Sequence, residues 1–392
     1  MSIITEIILL LAAGQGFLLS ILVFHKHGRL FANRLLATYM FIYSLIILNL
    51  FLGDKGFFIQ YPFLLFFHLG LPFFIAPLHY LYAKNLTRTS LKFRKSDWLH
   101  FIPFLIFEVY FLMVFIQSGS EQIASQQNKA LGELPFYNQL FNWVITLQVL
   151  TYMTLTLLLL KKYSRNIKNV FSTIEKVQLG WLRNITYITI FALLSFLIEN
   201  IFFAIGINLT NFFTFSSIVA AISVYAIGYI GLSRSEIFDN PRFIESIKNI
   251  SDTEKGNESQ IFIRKYEKSG LTSEKAKKFL DQLLKLMKDE KPYKDSELTL
   301  TDLAERLSIS HHNLSQILNT RLNQNFFDFI NQYRIEEVKK DLADSQKKHL
   351  TILSIGLDAG FNSKTSFNTI FKKQVGMTPS EYRRNVLDEN QG

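Results

Sequence analysis

Two short stretches of this chain space their polar side chains so that one helix face could read the edges of nucleic-acid bases. In residues 311–320 the outward positions on helical spacing are His312, Asn313, Ser315, Gln316 and Asn319. In residues 364–374 they are Lys364, Thr365, Asn368 and Thr369. Asparagine and glutamine pair with adenine and lysine with guanine or phosphate, so these types at this spacing suit a major groove. Lys372, Lys373, Arg383 and Arg384 follow closely and suit phosphate contacts. A second polar set lies in strongly apolar surroundings: Glu108, Gln148, Glu199 with Asn200, and His68 and His79 among Pro62, Pro72 and Pro77. An intramembrane carboxylate is costly, which makes it a candidate for ligand contact or for an ion or proton response. The structural alternative is interhelical hydrogen bonding. Glu108, Glu199 and His68 are the candidate sensing residues. The histidines have no second ligand at helical metal spacing, so no metal site is expected, and no cofactor.

Helices must present the two reading faces. Thr299 can cap a first helix, with Asp302 three residues on completing a box-like start, and Leu303, Ala304 and Leu307 form its inner side. Residues 308–310 turn, Ser310 caps residues 311–320, and Leu314, Ile317 and Leu318 point inward. The plan recurs downstream. Thr351 starts a helix with Ile352, Ile355 and Leu357 apolar, residues 359–362 turn, and Ser363 caps residues 364–374, with Phe367, Ile370 and Phe371 inward. Between them lies an amphipathic helix, about residues 326–343, carrying Phe329, Ile330, Tyr333, Val338 and Leu342. A short helix, a tight turn and a second helix at a steep angle let the second helix project into a major groove. Two such units on one connector can enter successive grooves, about 34 Å apart. Residues 298–392 hold 12 basic and 11 acidic side chains, but the positive charge gathers in residues 364–384, where docking needs it.

Upstream the chain has another character. It is 392 residues long and 49% hydrophobic, and nearly all its long apolar runs precede Ser233. Seven runs cover residues 3–24, 35–52, 63–82, 99–116, 140–160, 185–205 and 212–232. Each has about the 20 residues that a helix needs to cross the hydrocarbon layer. The first lacks a basic flank before it and a small-residue cleavage site after it, so it reads as a retained helix rather than a signal peptide. Residues 1–232 carry 16 Lys and Arg against 8 Asp and Glu, while the rest carries 26 against 24, so most of the net +10 lies in the apolar half. Fourteen of those 16 basic residues fall in the first, third and fifth loops, leaving only Lys55 and Lys129 for the N-terminus and the even loops. This bias places the N-terminus outside and the C-terminal region in the cytoplasm.

Residues 233–270 are polar and read as a linker, with Pro241 and Gly256 opposing one continuous helix. In residues 273–290 Phe279, Leu280, Leu283, Leu284, Leu286 and Met287 form an apolar stripe. That stripe serves either dimerisation or packing on the next domain, and it is too short for a coiled coil. Cysteine is absent, so there are no disulfides and no thiolate metal sites. No phosphate-binding loop, dinucleotide fingerprint, zincin or nucleophile-elbow motif occurs, so an enzyme is not expected.

Residues 298–384 resemble the AraC/XylS-type DNA-binding domain. The pattern A-G-F, then F-x-x-x-F-K-x-x-x-G-x-T-P-x-x-Y-R, stands here as Ala359-Gly360-Phe361, Phe367, Phe371-Lys372, Gly376, Thr378-Pro379 and Tyr382-Arg383. The resemblance implies promoter binding through the two recognition helices and contact with RNA polymerase. Two positions depart from it: Gly356 stands where the family usually has Ala, and Ser308 takes a turn position often held by Gly. The family's usual soluble sensing domain is missing.

The expected protein is therefore all-α: a seven-transmembrane-helix bundle (residues 1–232), a linker with an amphipathic helix (233–297) and a cytoplasmic double helix-turn-helix domain (298–392). Its expected place is a bacterial inner membrane and its expected function is transcriptional regulation. Its partners are double-stranded DNA, the lipid bilayer and an unknown signal, and a homodimer is left open. The alternative is a transporter or channel with a regulatory cytoplasmic helical domain. A third reading releases the reader by proteolysis within residues 233–270.

Overall fold

An apolar segment in lipid has no water for its peptide groups and must satisfy them within itself, which an α-helix does. The structure is a computed structural model that describes residues 3–27, 31–61, 64, 69–87, 94–126, 136–175, 177–204, 210–234 and 271–389. The described elements are helical. The β feature among them is an isolated antiparallel bridge between Phe171 and Thr299. The chain divides into two compact units, Met1–Lys162 with Leu179–Pro241, and Tyr163–Gln178 with Arg242–Gly392.

The first unit contains α1 (Ile3–His27), α2 (Phe31–Asp54), the short α3 (Phe57–Gln60), α4 (Pro72–Thr87) and α5 (Ile102–Gln126). It continues with α6 (Phe136–Asn166), whose last turn belongs to the second unit, then α7 (Gly180–Ala204) and α8 (Thr210–Arg234). Among the described residues, five helical stretches are long and apolar enough to cross a membrane: Ile3–His25, Phe31–Asp54, Lys95–Gln117, Trp143–Asn169 and Gly180–Ile198. The expected count was seven. Of the two remaining segments, α4 has only 16 residues and holds Pro77 inside it. α8 has 25 residues, of which the fully described apolar stretch is Ser216–Ile230. Pro77 sits within an unbroken α4, and residues 63 and 65–68 of the third run lie outside the described residues.

Small residues let these helices approach closely. A Cβ on Gly16 of α1 would collide with Ser44 of α2 and with Val224 of α8, and one on Gly228 of α8 would collide with Leu19 and Met40. Leu9, Ala12, Ala13, Ile47, Ala221 and Val224 fill the seam between these three helices. Ser20 Oγ donates across it to the Ala37 carbonyl (2.7 Å). Outward, Ile7, Leu11, Leu18 and Ile21 of α1 are exposed, as are Leu105, Ile106, Met113 and Ile116 of α5.

The second unit holds α9 (Ser273–Asp289), α10 (Leu300–Arg306), α11 (His311–Arg321), α12 (Phe326–Ala343), α13 (Ile352–Asp358), α14 (Lys364–Val375) and α15 (Pro379–Glu389). Short polar side chains start them. Thr272, Ser310, Asn325, Thr351 and Ser363 each accept an amide hydrogen from three residues on. Thr299 and Asp302 form a reciprocal capping box, and Thr378 and Glu381 pair in the same way. Two cores result. Leu283 and Met287 of α9 join Leu303, Leu314, Leu318, Phe329 and Ile330 in one. The α9 stripe is thus a packing face for this half. The other core gathers Val338, Leu342, Ile355, Phe361, Phe367 and Phe371.

Candidate nucleic-acid interface

Two helix pairs carry the sequence-derived reading faces. In the first, α10 and α11 are joined through Ser308, whose φ of 54° is left-handed, a conformation that Gly adopts more cheaply. In the second, α13 and α14 are joined through Gly360 at φ 101°, where a Cβ would collide with the Tyr293 carbonyl oxygen. The departure at Gly356 has a steric reason. A Cβ there would stand 2.8 Å from Cδ1 of the buried Phe367 ring, so the helix-propensity cost of glycine, about 0.5–1 kcal/mol, secures room for an aromatic core.

On α14, Phe367, Ile370 and Phe371 are buried, while Lys364, Thr365, Asn368 and Thr369 are exposed, as are Lys372 and Lys373. The face expected to meet bases is therefore open to solvent, beside two lysines in the last turn. On α11, Leu314, Ile317 and Leu318 are buried and His312 is exposed. Asn313, Ser315, Gln316 and Asn319 are half-buried. Asn319 turns its amide onto its own helix, donating to the Ser315 carbonyl (2.8 Å), and Thr320 Oγ1 donates to the Gln316 carbonyl (2.8 Å).

Arg384 is exposed, but Arg383 is engaged within the fold. Its Nη1 donates to the Leu350 carbonyl (2.9 Å) and its Nη2 to the Lys348 carbonyl (2.7 Å), tying α15 to the segment before α13.

Of the intramembrane candidates, Glu108 on α5 is 7% exposed, and neither carboxylate oxygen has a hydrogen-bond partner among the described residues. It faces Gly70. His68 lies outside the described residues, as do the Glu199 side chain and residues 235–270, which hold most of the expected linker. His79 is buried and its Nε2 lies 3.0 Å from Thr186 Oγ1, a packing role.

Two groups on α12 escaped the sequence reading. Asn331 and Arg334 are 0% and 1% exposed. They lie on the stripe formed by Phe327 and Val338, where a polar interruption was visible but its partners were not. Burial pulls the Arg334 guanidinium down to about 10, with Asp295 and Glu175 opposing that shift. One turn on, Glu337 meets Lys291 Nζ and Lys294 Nζ, each at 3.0 Å. Burial favours its neutral form, but the hydrogen bonds and charges of the two ammonium groups win and hold the carboxyl at about 2.

A family model described as a helix-turn-helix domain matches residues 303–385. The melibiose operon regulatory protein of Escherichia coli (strain K12) is 34% identical over 90 residues, covering 23% of this chain and 29% of that protein. An uncharacterized HTH-type transcriptional regulator of Staphylococcus aureus (strain COL) is 37% identical over 97 residues, covering 24% of this chain and 13% of that one. The chain thus spans less than a third of either relative. No solved structure gives a significant match. The matched stretch contains the reading faces of α11 and α14 and the Gly360 turn, and residues 303–385 are an AraC-type helix-turn-helix domain.

Proposed function

We propose that this protein is a membrane-embedded, sequence-specific DNA-binding transcriptional regulator, a one-component signal transducer. The observation that carries the reading is the solvent-open face of Lys364, Thr365, Asn368 and Thr369 on α14, inside the matched domain. Each helix pair acts as a helix-turn-helix unit. α11 and α14 enter successive major grooves, Gln316 and Asn368 read adenine edges, and Lys372, Lys373 and Arg384 hold phosphates. The five apolar helices and their exposed apolar faces support a place in a bilayer, since soluble monomers rarely expose apolar patches on this scale. Seven spans with the reader on the cytoplasmic face of a bacterial inner membrane is the topology that the charge bias favours. RNA polymerase contact and homodimerisation belong to the same reading. Glu108, unpartnered among the described residues, is the candidate through which the membrane part senses its signal.

Genome-wide mapping of DNA bound by the full chain in its producing cell tests this, with a Gln316→Ala/Asn368→Ala double variant alongside. Reproducible sites that the variant loses are expected. A membrane-resident chain that occupies no specific sites would sink the reading and favour flux measurements in vesicles instead.

A further inference from the structure

The reading unit is not continuous in sequence. Residues 163–178, the connection between α6 and α7, fold as part of it. Val170 and Ser172 pair with the chain that leads into α10: the Leu300 amide donates to the Val170 carbonyl (2.9 Å) and the Ser172 amide to the Leu298 carbonyl (3.2 Å). Phe171 thereby stands opposite Thr299, the residue that caps α10. The Ser172 side chain is buried and donates to Leu298 as well (2.7 Å).

Arg334 joins this connection to the segment that leads into the first helix pair and to the turn of the second. Its Nη1 donates to the Ser172 carbonyl (3.2 Å), its Nη2 to Ser172 Oγ (3.1 Å), and its Nε to the Tyr293 carbonyl (2.7 Å). The same guanidinium lies over the Phe361 ring at 5.8 Å, beside the Gly360 turn of the second pair. Asn331 adds a bond to the Ser172 carbonyl (3.1 Å). Ile174 packs on the core of the second half. Without residues 170–174, two buried polar side chains of α12 would lose partners, which is expensive.

We infer that the α6–α7 connection is the input segment of the DNA-binding unit, fixing the first helix pair against the second through Ser172 and Arg334. This rests on α11 and α14 being the DNA-contacting helices. The seated connection leaves the exposed face of α14 uncovered, so the docked state is the binding-competent one. A rearrangement of α6 and α7 then acts on DNA affinity through residues 170–174 rather than through the later connection.

The test compares the full chain in lipid nanodiscs with Ser172→Pro, the milder Ser172→Ala, and a four-residue Gly-Ser insertion within 251–260. Amide exchange across α10 and α11 is read alongside genomic occupancy. The expected result is faster exchange and a several-fold loss of occupancy for Ser172→Pro, a smaller loss in the same direction for Ser172→Ala, and parental behaviour for the insertion. Unchanged exchange in both Ser172 variants, or loss of occupancy only on insertion, overturns the inference. If the parent itself occupies no specific sites, the DNA reading fails, while the exchange comparison still decides whether the connection orders the first helix pair.

Discussion

At the scale of single residues, Glu337 shows how charge is placed inside this domain. Two lysines hold its carboxylate, and Tyr293 donates to it as well (3.3 Å). Its folded value near 2 lies below the usual carboxylate range, so its contribution to stability is present above about pH 4.5 and is lost as pH falls toward 2. Glu337→Gln should therefore leave residues 271–389 more open to proteolysis than the parent at pH 5. Pepsin digestion at descending pH should show the two chains converging near pH 2; a gap of constant size would disprove the pairing. Glycine residues are informative at this scale too. Gly356 looked like a simple weakening of α13 from sequence alone, because propensity is local and the Phe367 ring that fills the space comes from the next helix.

Among the elements, four caps and the central helix of the second unit were legible, while the caps at Thr272, Asn325 and Thr378 were not read. Residues 326–343 were expected as a helix and α12 is Phe326–Ala343; Thr299, Ser310, Thr351 and Ser363 cap as their side chains suggest. Such signals are short-range, and a single sequence carries them. The buried pair Asn331 and Arg334 was not legible, since Ser172 lies 162 residues before Arg334. The third apolar run is described only from Pro72 onward apart from a few residues before it, so its expected length stands as an expectation. For α14, the exposed Lys372 and Lys373 should act as sequence-independent phosphate contacts. Replacing both by alanine should weaken binding about equally at all sites and reduce the log–log salt slope by about 2, measured by titration at several salt concentrations. An effect confined to particular base pairs would assign them to base reading instead.

For the whole molecule, topology is the expectation with the most direct check. The chain has no cysteine, so single replacements report cleanly. Lys55→Cys should react with a membrane-impermeant maleimide added to intact cells, and Lys373→Cys only after the cells are opened. The reverse pattern would place the helix-turn-helix domain away from DNA and exclude its proposed role. The discontinuity of the reading unit also has a consequence in time. Synthesis proceeds at roughly 5–20 residues per second, so residues 170–174 wait on the order of ten seconds before Arg334 leaves the ribosome. During that interval α6 and α7 can enter the bilayer with their connection still undocked. On the proposed reading the protein is completed at the membrane, in the order of its own translation, and a fragment starting within residues 235–270 would lack a piece made long before.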